Sequence, residues 1–224
     1  MSFSFPALCI DDFYPNPDEV RKFALEQNFY PADGGTYPGK RTDHLHELDE
    51  DFFNYFCKRF MNVFYNYEHE EVNWVISSNF QLFPPYKGNN ETALNKGIIH
   101  RDMAICAGVI YLTPNPNPDS GTSIYHLKDN VLPKQLNHDL RFDLHTGKEV
   151  DDEAFTKMQD ANDSKFEETI RFQNRYNRLI SYDAGNYHRA NSYVHNDQER
   201  LIQVFFVEQV GSDGLPLDRW RHWS

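Results

Sequence analysis

The run Ile98-Ile99-His100-Arg101-Asp102-Met103-Ala104-Ile105-Cys106-Ala107-Gly108-Val109-Ile110-Tyr111-Leu112 joins a polar start to a nearly uninterrupted apolar end. The apolar stretch is closed by Pro114, Pro116 and Pro118, which predicts a strand buried on both faces. Just ahead of it, His100 and Asp102 stand one residue apart. Side chains of an extended chain alternate with period two, so both project from one side.

Upstream, Trp74-Val75-Ile76-Ser77-Ser78-Asn79-Phe80-Gln81-Leu82-Phe83 is β-branched and aromatic and predicts a second strand, ended by Pro84-Pro85 and followed by a polar loop over 87–96. Phe52, Phe53, Phe56, Phe60 and Val63 recur at three- and four-residue steps and predict a helix over 49–62. That stripe suits a core better than a cofactor box. Asp33-Gly34-Gly35-Thr36-Tyr37-Pro38-Gly39 cannot continue a helix and reads as loop. A first helix begins near Asp18, with acidic residues in its first turn and Val20, Phe23, Ala24 and Asn28 at helical spacing. Before it, Ala7-Leu8-Cys9-Ile10 is a short strand and 11–17 a turn.

Downstream, Gly121-Thr122-Ser123-Ile124-Tyr125 resumes as strand. Residues 128–172 are polar and charged, with 151–172 helix-prone, and read as an insertion or lid between strands. Strands return over 177–182 and 200–207, with Asp183-Ala184-Gly185 as a turn. Helices first and many short strands after give a mainly β, α+β chain. The architecture expected is a double-stranded β-helix (a cupin-like jelly roll) with the N-terminal helices packed on one sheet. One domain over 1–224 is the simplest division.

Phe 18 and Tyr 13 make the core aromatic. Lys+Arg 22 against Asp+Glu 34 gives a net charge of -12, which argues against nucleic acid as a partner. Cys9, Cys57 and Cys106 show no CxxC spacing and suit reduced thiols in a cytoplasmic setting. The N-terminus lacks the pattern of a signal peptide, and no apolar run nears the roughly 20 residues a bilayer needs. A soluble protein is expected, acting on a small-molecule or peptide substrate, with a homodimer compatible. The tail Asp218-Arg219-Trp220-Arg221-His222-Trp223-Ser224 is expected to pack on its own domain, docking to a partner chain being the alternative.

One imidazole and one carboxylate on one face, joined by a second imidazole from a distant strand, form a facial triad. Such a triad leaves positions open on a non-haem Fe(II) ion for a cosubstrate and O2. His188, after the 181–185 strand and turn, is the preferred distal ligand; His195 and His126 are the alternatives. His188 precedes Arg200 by 12 positions, enough for a strand, a hairpin and a return on the neighbouring strand, whereas His195 precedes it by only 5. Arg200 opens an otherwise apolar strand, and a buried guanidinium needs a carboxylate. Either Asp183, Asp197 or Glu199 supplies it, or the distal carboxylate of a dicarboxylic cosubstrate does. His44 and His46 form a loop pair without a third ligand nearby.

These residues carry a resemblance. The order His100-x-Asp102, 108–112, Gly121-Thr122, 182–188 and 200–206 resembles the 2-oxoglutarate/Fe(II)-dependent dioxygenases, nearest to the prolyl-hydroxylase-like branch. The opening Ile10-Asp11-Asp12-Phe13-Tyr14-Pro15 with its helix is similar to that branch as well. The resemblance spans most of the chain outside 128–172. It implies His100, Asp102 and His188 as iron ligands and Arg200 as anchor for the C5 carboxylate of 2-oxoglutarate. Asn79, Gln81 and Tyr111 are further cosubstrate candidates. The activity implied is hydroxylation coupled to oxidative decarboxylation of 2-oxoglutarate, with Fe(II), 2-oxoglutarate and O2 as cofactor and cosubstrates. A non-catalytic β-helix binding protein, or a cupin-like metalloenzyme that does not use 2-oxoglutarate, is the alternative. Two departures stand out: Ile202 occupies a place where many relatives carry a hydroxyl, and 80–83 ends without the tyrosine that often helps hold the cosubstrate.

Overall fold

The computed structural model describes residues 5–32, 37–66, 69–83, 95–136, 151–193 and 198–214. Its elements are β1 (Leu8–Ile10), α1 (Pro17–Leu25), β2 (Tyr30–Pro31), β3 (Lys40–Arg41), α2 (Leu45–Leu48), α3 (Glu50–Met61), β4 (Val72–Phe83), β5 (Cys106–Tyr111), β6 (Thr122–Leu127), α4 (Asp152–Asp163), β7 (Phe166–Phe172), β8 (Leu179–Asp183), β9 (Tyr187–Ala190) and β10 (Arg200–Ser212). Two antiparallel sheets face each other, one ordered β1-β8-β5-β10-β4-β3-β2 and the other β7-β6-β9. This is the double-stranded β-helix expected from the sequence.

All six residues of β5 are buried, because it is a central strand hydrogen-bonded to β8 and β10 and covered on both faces. On the outer face of the large sheet lie α1 and α3. The phenylalanine stripe of α3 is core: Phe56 and Phe60 approach Phe205 of β10 at ring-centroid distances of 5.3 and 4.7 Å, and Phe52 stacks on Phe80 of β4 at 6.2 Å. Each such ring contributes about 1.5–3 kcal/mol on burial. Asp49 starts α3 by accepting from the Phe52 amide at 2.8 Å. Gly108 faces the Phe205 ring, and a Cβ there would lie 2.4 Å from both that ring and the Ile180 carbonyl oxygen. Only glycine lets α3 settle this close to the sheet.

Between the sheets a second core gathers Ala107, Val109, Tyr111, Ile124, Ile180, Ile202 and Val204. Asn177, at φ 61°, joins the N-terminal turn to this frame: its side chain accepts from the Tyr14 amide at 2.8 Å and donates to the Tyr14 carbonyl at 2.7 Å.

Residues 166–172 correct the sequence reading. The helix-prone segment stops at Asp163, and Phe166–Phe172 is an edge strand paired with β6. Only its two phenylalanines are buried and the five residues between are exposed, so a strand of the barrel carries the composition of a surface segment. The helix α4 is fastened to the small sheet: Asp163 pairs with Arg189 of β9, and Gln159 donates to the Gly97 carbonyl at 3.2 Å. Residues 137–150 of the expected insertion, most of the 87–96 loop and the 218–224 tail lie outside the described residues. Among the described residues, no helix is long and apolar enough to cross a membrane.

Candidate metal centre

His100 and Asp102 do not sit on a regular strand. His100 makes a single antiparallel bridge with His188 of β9, exchanging backbone hydrogen bonds of 3.0 and 2.9 Å. Asp102 is held by its own amide, which donates to the Ala184 carbonyl at 2.9 Å. The bridge sets two imidazoles side by side, ring centroids 4.4 Å apart, and the next residue but one swings its carboxylate beneath them. The same-side relation read from period two therefore holds, though one bridge enforces it rather than a strand.

The ligand-capable atoms of His100, Asp102 and His188 lie within 4.8 Å of one another. His188 Nε2 is 3.1 Å from one carboxylate oxygen of Asp102, and His100 Nε2 is 3.6 Å from the other. The opposite ring nitrogens point back at their own chain, His100 Nδ1 to the Ile98 carbonyl at 2.7 Å and His188 Nδ1 to the Asn186 carbonyl at 2.9 Å. A carbonyl only accepts, so these hydrogen bonds assign the proton to Nδ1 in each neutral ring. With each Nδ1 so engaged, the two Nε2 atoms and the two carboxylate oxygens converge on one another. A cation turns that crowd of acceptors into ligands, and the backbone carbonyls orient the imidazoles for it. The donor set, two imidazole nitrogens and one carboxylate, fits Fe(II).

The route from His188 to Arg200 differs from the hairpin expected. β9 pairs with β6 in the small sheet, whereas β10 pairs with β4 and β5 in the large one. The chain crosses between sheets, so the two residues face the same interior from opposite walls. His126 is exposed on β6 beside Asp129 and takes no part; His195 lies outside the described residues. His44 and His46 stack on each other at 5.5 Å, and among the described residues the only three-ligand group is the His100, Asp102, His188 cluster.

One cavity holds the cluster and Arg200 together. Arg200 is 1% exposed, and its Nη2 donates to the Ser120 carbonyl at 2.9 Å. Its guanidinium lies 5.0 Å from the Phe83 ring centre and 5.7 Å from that of Tyr111. Nε is buried without a hydrogen-bond partner, and no carboxylate pairs with Arg200 among the described residues. Of the acids proposed to neutralise it, Asp183 accepts instead from the Phe5 and Gly185 amides, Glu199 is exposed, and Asp197 lies outside the described residues. Burial pulls the Arg200 pKa down. A guanidinium stays protonated even so, which leaves a buried cation with part of its donor fork unanswered.

The other sequence candidates divide. Gln81 lines the cavity, donating to the Pro38 carbonyl at 2.6 Å. Tyr111 is fully buried behind it, its hydroxyl 3.0 Å from that of Thr122, and burial raises its pKa. Asn79 spends its amide on the Thr42 carbonyl at 2.9 Å and is not among the residues lining the cavity. Ile202, the departure noted in the sequence, lines the wall, while hydroxyls reach the cavity from Thr122 and Tyr193. Sequence reading missed Thr122, Tyr193 and Tyr182, whose ring packs 4.6 Å from that of His188, and also Tyr37 and Arg41. Tyr182 stands next to the quoted turn, which was a signal; Arg41 lies on a two-residue strand, which gives none.

Comparison with known proteins places these observations. A family model described as "Family of unknown function (DUF6445)" matches residues 4–199. No curated protein matches the chain. Among solved structures, the chain is similar to HygX from Streptomyces hygroscopicus with nickel and 2-oxoglutarate bound, at 11% identity and a TM-score of 0.55, over 90% of this chain and 82% of that one. It is also similar to a prolyl hydroxylase from Trichoplax adhaerens in complex with a hypoxia inducible factor peptide fragment, at 12% identity and a TM-score of 0.51, over 90% and 83%. EvdO2 from Micromonospora carbonacea var. aurantiaca matches at 14% identity and a TM-score of 0.54, over 97% and 92%. At such identities the likeness is one of fold.

Proposed function

We propose a function for a chain that belongs to DUF6445, a family of unknown function: it is a non-haem Fe(II)- and 2-oxoglutarate-dependent dioxygenase, acting as a hydroxylase. The observation that carries the reading is Arg200, a buried guanidinium with no carboxylate partner among the described residues, in the same cavity as the His100, Asp102, His188 cluster. A buried cation left in this state costs several kcal/mol unless a ligand supplies the anion. A dicarboxylate able to reach both ends of the cavity meets that need.

In this reading His100, Asp102 and His188 hold Fe(II) and Arg200 grips the C5 carboxylate, assisted by Thr122 on the cavity wall with Tyr111 behind it. Bound Fe(II) with 2-oxoglutarate supplies O2 activation coupled to decarboxylation, yielding succinate and CO2 as a substrate C–H bond is oxidised. The chain's own part is to position and to keep water out. The apolar wall of Val109, Ile202, Val204 and Phe206 lines the space where a substrate carbon would sit. The Tyr182 ring bears on His188 and keeps that imidazole in place. HygX with its bound 2-oxoglutarate and the prolyl hydroxylase with its peptide support the reading through fold alone.

The test is succinate release from 2-oxoglutarate by the purified chain in air with Fe(II). Metal-dependent succinate, lost in His188→Ala, supports the proposal. A chain that binds Fe(II) but neither binds 2-oxoglutarate nor consumes it is a metalloprotein of another kind.

A further inference from the structure

We infer that a second cavity, between α1 and α3, binds a small organic cation of the alkylated ammonium class. The cavity measures about 310 Å³, and its lining shares no residue with that of the metal centre. Four of its lining residues form a continuous run of rings. Tyr55 lies 6.5 Å from Tyr14 between ring centres, Tyr14 lies 5.9 Å from Phe52, and Phe52 lies 5.7 Å from Phe23. The Tyr14 hydroxyl is spent behind the wall, donating to Gln203 Oε1 at 2.6 Å, so Tyr14 offers the cavity ring surface rather than a donor. Tyr55 is 42% exposed, which leaves its ring open to a guest.

Charge selects the guest. The charged side chains of the lining are Glu19 and Asp49, both acidic, and neither makes an ion pair among the described residues. Asn16, a third polar lining residue, precedes α1 without capping it through its side chain, although an asparagine in that place ordinarily accepts from the first helix amides. Carboxylates at helix starts are ordinary company for the helix dipole and do not by themselves call for a ligand. The rings beside them do. An aromatic face carries negative charge density and attracts a cation, and it gains most from one whose surface is hydrocarbon. An anion would meet two carboxylates, a neutral apolar guest would leave them unanswered, and a hydrated inorganic ion would leave the rings exposed. An alkylated ammonium satisfies both surfaces, its charge toward Glu19 and Asp49 and its alkyl groups against the rings. The net charge of -12 on the whole chain draws such ions toward it.

The full chain is titrated calorimetrically at fixed ionic strength with choline and with its uncharged isostere, in which tert-butyl replaces trimethylammonium. Choline should saturate one site per chain and bind at least about fivefold tighter than the isostere, the worth of one cation-ring contact. Tyr55→Leu keeps the charge of the protein and the apolar bulk but removes a ring, and Glu19→Gln removes a carboxylate. Each should weaken choline at least about threefold while leaving the isostere within about twofold, and Tyr55→Phe should bind choline like wild type. Because Tyr55→Leu leaves the net charge unchanged, its effect separates a built site from loose accumulation of cations on an acidic surface. Wild-type protein that binds neither compound, or both alike, overturns the inference without any variant. Choline affinity unchanged in Tyr55→Leu or in Glu19→Gln overturns it as well. So does loss of choline binding on anaerobic addition of Fe(II) and 2-oxoglutarate, which would place the cation in the metal cavity.

Discussion

Arg200→Met separates the needs of the fold from those of the ligand, because the two move in opposite directions. Arg200 is 1% exposed and donates a hydrogen bond to the Ser120 carbonyl, with the Phe83 and Tyr111 rings against it. Ring contacts return about 1–2 kcal/mol to a desolvated cation. Desolvating the charge costs several kcal/mol. Methionine has a similar length, no charge and enough flexibility to fill the same volume. The metal-free variant is therefore expected to be as stable as wild type or more stable, by up to about 2 kcal/mol. Binding should show the reverse. Removing one partner of a buried, hydrogen-bonded charge pair costs about 3–5 kcal/mol, a few hundred- to a few thousand-fold in Kd for 2-oxoglutarate. Fe(II) affinity in the absence of 2-oxoglutarate should change little, since the metal cluster is a separate set of side chains. Urea denaturation of metal-free protein and anaerobic calorimetry with Fe(II) and 2-oxoglutarate measure the two halves. A variant that unfolds several kcal/mol more easily while still binding 2-oxoglutarate within a few-fold of wild type would refute the reasoning and make Arg200 a structural residue.

Four further outcomes are expected. Gly108→Ala forces a methyl group against the Phe205 ring and the Ile180 carbonyl and should cost about 1–3 kcal/mol in urea denaturation; a neutral result would mean that α3 can move off the sheet. Asn177→Ala removes two hydrogen bonds to the Tyr14 backbone at a left-handed position and should cost about 2–3 kcal/mol, with Asn177→Gly recovering the conformational part. Burial pushes the Cys57 and Cys106 thiols up to about 12, so iodoacetamide at neutral pH should label only exposed Cys9 in the native state, as peptide mass spectrometry can show. The hydrogen bond from Arg178 holds the Asp11 carboxyl below its ordinary 3.8, with Arg175 adding to the effect. A folded pKa below the unfolded one gives stability that is present above the unfolded value and lost as pH falls through the folded one. Asp11→Asn should therefore flatten the acid limb of the stability profile and leave the neutral region nearly level, and an unchanged acid limb would assign that limb to other carboxylates.

What could be read in the sequence followed burial. The 104–112 run, the α3 stripe and the apolar β10 segment announce themselves because each is covered by other elements and must be apolar. His100, Asp102 and His188 were legible because a bridge and a turn leave few ways to place them. β7 was not, since an edge strand exposed over five residues carries no hydrophobic period. The path from His188 to Arg200 was misread because local spacing cannot tell a hairpin from a crossing between two sheets. Arg41 was invisible for a third reason. Its strand has two residues, and its place in the metal cavity is set by Gln81, forty positions away, and by the rings of Tyr37 and Phe206.

The central claim is that one cavity binds Fe(II) through His100, Asp102 and His188 and 2-oxoglutarate through that metal and Arg200. Anaerobic addition of Fe(II) and 2-oxoglutarate to the purified chain, followed in the visible range, tests it most directly. The account predicts a charge-transfer band that needs both components, saturates at one of each per chain, and is absent in Asp102→Ala. No band in wild-type protein, together with 2-oxoglutarate binding that ignores the metal, would contradict it.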